Sequence, residues 1–169
     1  MEAVRLIAAG RHALAQSRAA LDIVVEAWQA QALAQAIGGW LAVTGPPELR
    51  GEARGLGEAG GRGCGVLDRP ALVGADHRGG DAVPRAAQLT AVSDIRQALL
   101  GLGALLGEVG ISLVGVACAT DEEGLYWQCI EAIDAADESS DRVRGILRRL
   151  TVREQGGASG AARDSTAAT

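Results

Sequence analysis

Glu131, Asp134, Glu138 and Asp141 recur at steps of three, four and three residues, so on a helix all four carboxylates share one face. Carboxylates grouped in this way could hold Mg2+ beside the phosphates of a substrate. Nothing else in the chain offers comparable chemistry. His12 and His77 are the only histidines. A two-histidine metal site or a Ser-His-Asp arrangement would need distant residues to converge on them, so both are read as structural or exposed. Gly55 to Gly60 matches G-x-G-x-x-G, but neither a strand before it nor a βαβ unit around it supplies the phosphate-cradling context, and it reads as linker. Cys64, Cys118 and Cys129 form an odd set without a C-x-x-C pair, which points away from a disulfide framework or a zinc site and towards a reducing cytoplasm. The aromatics are Trp28, Trp40, Tyr126 and Trp127. Trp28 is expected in the core. Trp40, Tyr126 and Trp127 are candidates for an interaction surface, and the last two, adjacent on a helix, cannot both face inward.

The carboxylate face has one enzymatic parallel. All-α nucleotide pyrophosphohydrolases of the MazG type use paired E-x-x-E and E-x-x-D motifs on neighbouring helices, and Glu131-x-x-Asp134 supplies one such pair. The preceding segment offers Glu108 with Ile111 where a second carboxylate is needed. A solvated acidic face is therefore the preferred reading, with a metal-dependent hydrolase as the alternative. No residue is assigned a catalytic role and no cofactor is expected.

Composition narrows the partners. All sixteen basic residues are arginine, lysine, asparagine and phenylalanine are absent, and the formal charge is -5. Duplex binding rests on several cationic contacts to phosphate, so nucleic acid is not an expected partner. The first ten residues carry Glu2 and Arg5 and lack a basic region followed by an apolar run, so no signal peptide is predicted and the expected location is the cytoplasm.

The elements that must carry these residues are helices. All four prolines and eleven glycines between Gly45 and Gly80 mark residues 44–85 as a connection, with room for a short fourth helix. Before it, residues 2–43 are rich in helix formers, and Ile7, Leu14, Leu21 and Trp28 recur every seven residues, predicting one long helix that can kink. After it, Val92, Ile95, Leu99, Leu102, Leu106, Val109, Leu113 and Val116 alternate steps of three and four, a heptad seam on a helix over 86–119. Gly103 and Gly107 would let another helix approach closely, placing this helix at the centre of the bundle. Thr120 to Glu123 reads as a capping box that opens a helix over 121–153, with Cys129, Ala132, Ala136, Val143, Ile146 and Leu150 inward and Ser139 in step between them. Acidic residues lead that helix and arginines close it, matching the helix dipole. Residues 154–169 are predicted disordered.

The apolar run Ala98 to Ala119 has membrane-spanning length, with Glu108 its one charge. A central charge would cost about 3 kcal/mol in a bilayer. Basic or aromatic anchors do not follow the run, and Asp121 to Glu123 come directly after it. A buried bundle helix is preferred over a membrane span.

The blocks Arg11 to Arg18, Ala27 to Gln35, Gly45 to Arg50 and Ala119 to Gln128 resemble a streptomycete family of unknown function, across most of the chain. The resemblance implies an actinobacterial, intracellular protein and carries no assigned catalytic residues. The reading is an all-α protein, an antiparallel bundle of three long helices in a single domain over 1–153. The function expected is non-enzymatic, helical interaction or regulation with a protein partner or a second copy. The alternatives are the hydrolase and a membrane-associated helical protein.

Overall fold

The computed structural model describes residues 1–67 and 84–166, and every regular element among them is helical. Among these residues lie five α-helices: α1 (Ala3–Gln16), α2 (Ala20–Thr44), α3 (Arg50–Val66), α4 (Ile95–Ala119) and α5 (Glu123–Thr166). Short 3-10 turns, Pro47–Leu49 and Arg85–Gln88, precede α3 and α4. The all-helical class stands, and the described residues form five helices where three long ones were expected.

The predicted first helix is two helices. At Ser17 the backbone turns extended and α1 closes, with the Ser17 amide donating to the Ala13 and Leu14 carbonyls and its hydroxyl to the Ala13 carbonyl at 3.0 Å. The break resets the heptad: Ile7 and Leu14 are buried, whereas Leu21, their nominal continuation, is 56% exposed. Trp28 is partly buried against the core.

The glycine-rich connection holds a full helix, longer than the short fourth helix allowed for. α3 spans seventeen residues and buries Ala53, Leu56, Ala59, Gly60 and Gly63, so the G-x-G-x-x-G stretch is helical. Glycine disfavours helix by about 1 kcal/mol per residue, but contact with α2 overrides the penalty here. A Cβ at Gly38 would collide with the Gly57 amide and stand 2.8 Å from the Ala53 carbonyl oxygen; one at Gly60 would lie 2.5 Å from the Gln35 amide and 2.8 Å from the Gln31 carbonyl oxygen. The two backbones touch along a strip that no side chain could enter.

α4 starts later than the heptad suggested. Leu89 to Ser93 lies extended beside the N-terminus, with an isolated parallel bridge from Glu2 to Ala91 and a Ser93 amide donating to the Glu2 carboxylate at 2.9 Å. The Ser93 amide and hydroxyl hold the Glu2 carboxyl below its ordinary range. Asp94 then caps α4, its side chain accepting from the Gln97 amide at 2.9 Å. The seam is where periodicity put it: Leu99, Leu102, Leu106, Val109, Leu113 and Val116 are buried, and α4 packs on α1, α2 and α5. Val92 is also buried, though it precedes the helix.

The turn into α5 differs in detail from a capping box. The Thr120 hydroxyl accepts from the Glu122 amide at 3.1 Å, two residues on, and the helix begins at Glu123. Cys129, Ala132, Ala136, Ser139, Val143, Ile146 and Leu150 face inward as read. Beyond Leu150 the helix continues to Thr166, where a disordered tail was expected, and Thr151 to Ala161 are exposed at every position.

Candidate functional site

The acidic face of α5 does not assemble four free carboxylates. Glu138 and Asp141 line an open groove of about 940 Å3 between α5 and the start of α3, together with Glu48 and Glu52. Each of the four meets an arginine. Glu138 pairs with Arg62 and Asp141 with Arg144, while Arg149 reaches Glu52 at 3.2 Å and Arg153 reaches Glu48 at 3.6 Å. Glu131 and Asp134 are exposed and lie outside the groove. Among the described residues no three His, Cys, Asp or Glu side chains converge as a metal site would require. His12 is exposed and shares a 3.0 Å hydrogen bond with Gln16; His77 lies outside the described residues. The exposed ion pairs contribute roughly 0.2–1 kcal/mol each, and those of Glu138 with Arg62 and Arg149 with Glu52 join α5 to α3.

A second surface was not anticipated. With its heptad seam turned inward, α4 presents on its far side Leu100, Ala104, Gly107, Ile111, Val114 and Cys118, all exposed. Ile111 is 75% exposed and Leu100 56%. These positions step by four, three, four, three and four, so they form a second stripe along the helix, opposite the core. A Cβ at Gly107 would meet nothing within 4 Å. Among the described residues the glycine therefore has no neighbour, contrary to the close approach expected there, and at Gly103 the nearest atom is the Val143 side chain at 3.6 Å. Glu108, at the border of the stripe, is held by Arg11, whose Nε lies 3.0 Å from both carboxylate oxygens. That contact raises the Arg11 pKa further and leaves the stripe without uncompensated charge.

At the end of the stripe the chain turns through Thr120 to Glu122 and enters α5 with Tyr126 and Trp127, 39% and 55% exposed. Their rings meet edge to face with centroids 5.2 Å apart. Of the three aromatic candidates these two lie at the surface, while Trp40 is partly buried against the core. Ile95–Ala119 is also the one described helix long and apolar enough to cross a membrane.

The remaining polar chemistry is internal. Gln31 is 1% exposed, and its Oε1 accepts from the buried Ser139 hydroxyl at 2.8 Å. Its Nε2 has no partner among the described residues. Gly63 makes room for this amide, since a Cβ there would overlap it. Cys64 and Cys129 carry thiols pushed up by burial, Cys64 to about 11, so neither is activated as a nucleophile.

The stripe on α4 is thus the surface best formed for contact, and the groove on α5 is an ion-paired seam between helices. No curated protein and no solved structure matches the chain at a significant level. A family model does match, over residues 1–149, ending where α5 leaves the packed body. The chain belongs to that family, described as a family of unknown function, DUF6099.

Proposed function

We propose that the protein is a non-enzymatic helical interaction protein whose docking surface is the outward face of α4. The observation that carries this reading is the exposed uncharged stripe from Leu100 to Cys118 on a helix already packed on its other side. A helix in a monomeric bundle ordinarily turns polar residues to water. Here the outward positions are apolar or small over some five turns, and large contiguous apolar patches mark interaction sites. Tyr126 and Trp127 extend the surface with the residue types that most often anchor binding. The pairing of Glu48, Glu52, Glu138 and Asp141 with arginines supports the same reading, because it leaves the groove without free carboxylates for metal chemistry.

A photo-crosslinking side chain placed at Ile111 in the full-length protein tests this in cells. A discrete adduct from position 111, absent when the group replaces the exposed Glu58 on α3, is the expected result. No adduct from 111, or the same smear from both positions, contradicts the reading.

A further inference from the structure

The stripe on α4 is complementary to itself, and we infer that its occupant is a second copy of this chain, docked antiparallel about a twofold axis at the level of Val109. This inference rests on the docking reading above and names its partner. In that register Leu100 faces Cys118 of the second copy, Ala104 faces Val114 and Gly107 faces Ile111, so every layer sets a bulky side chain against a small one. Two-stranded helical packing works by such insertion of knobs into holes, and a twofold interface requires that one surface supply both.

Neighbouring registers fail this test. Sliding by one heptad in one direction sets Leu100 against Ile111 and leaves Ala104 opposite Gly107, a collision beside a void. Sliding the other way sets Ile111 against Val114. Close packing penalises both errors.

Charge selects the same alignment. The antiparallel register brings Arg96, at the start of α4, beside Glu122 of the second copy, and Gln97 beside Asp121. Asp121, Glu122 and Glu123 have no cationic partner within the described residues, while Arg96 is 39% exposed and contacts Thr151 and Glu154. A parallel pairing would instead stack the acidic ends of the two helices on each other.

The full chain should run at twice its monomer mass by light scattering. Gly107→Leu fills the hole meant for the second copy's Ile111 while its Cβ meets nothing among the described residues of its own chain. It should therefore preserve or raise thermal stability at low concentration and weaken the dimer at least about tenfold. The swap Gly107→Ile with Ile111→Gly restores bulky-against-small in that layer and should recover the dimer. In the Leu100→Cys variant diamide oxidation should join residue 100 of one copy to Cys118 of the other as a disulfide, while wild-type Cys118 should not join to itself. A monomer at all concentrations, a dimer indifferent to Gly107→Leu, or linkage of Cys118 to Cys118 would overturn the inference. So would binding of the monomer to phosphatidylglycerol vesicles, or an adduct from Ile111 to a different protein, and the latter would leave the docking reading itself standing.

Discussion

The Gln31 amide is enclosed between α3 and α5, with Ser139 on one side and the bare Cα of Gly63 on the other. Burying an amide is unfavourable unless its hydrogen bonds are replaced, so the single bond from Ser139 carries more weight than an exposed one would. Ser139→Ala should destabilise the protein by about 1–2 kcal/mol, measured by denaturant unfolding. Adding Gln31→Leu should recover part of that loss, because both partners are then apolar; a double variant no better than Ser139→Ala would show the bond to be incidental. Nothing in the sequence distinguished Gln31 from its neighbours Gln29 and Gln35, since burial of one glutamine depends on a facing glycine more than thirty residues away. Ser139, by contrast, was legible as an inward position because it falls in step with Ala132, Ala136 and Val143.

Glycines in α3 and α4 have opposite consequences, decided by what faces them. At Gly60 an added Cβ would press on the α2 backbone, which cannot rotate aside. Gly60→Ala should cost about 3 kcal/mol or part the two helices. At Gly107 the space is open within one chain, and alanine should add about 1 kcal/mol to the stability of the isolated chain through helix propensity alone. Thermal melts of the two variants at low concentration should move in opposite directions, and equal shifts would refute the contact between α2 and α3. Local sequence reasoning read the α3 segment as a connection with room for a short helix and the α4 segment as a heptad helix. It misjudged α3, whose contacts are non-local, and it found α4 because eight apolar residues declared a heptad. The same periodicity misled at Leu21, because the backbone turns extended at Ser17 and a new helix starts at Ala20 where the spacing alone would have continued one.

Taken together, α1, α2 and α5 bury one face of α4 and leave its other face apolar, while each carboxylate of the α5 groove pairs with an arginine. The helical class and the inward residues of α4 and α5 were legible because they repeat locally. The outward stripe was equally present in the letters, as Leu100, Ala104, Gly107, Ile111, Val114 and Cys118. It was hidden because a helix apolar nearly all round looks like the centre of a bundle until the number and placement of its neighbours are known. The four carboxylates of α5 illustrate the converse: their spacing was plain, and the arginines that engage two of them come from α3 and from α5 itself. Cys118 reports directly on whether the stripe is covered in the working protein, because it is exposed in the single chain while Cys64 and Cys129 are shielded. Alkylation of Cys118 by a maleimide, followed by mass spectrometry in intact cells and in dilute purified protein, should be much slower in cells. Equal rates in the two settings would mean that the outward face of α4 meets only solvent, and the account would fail.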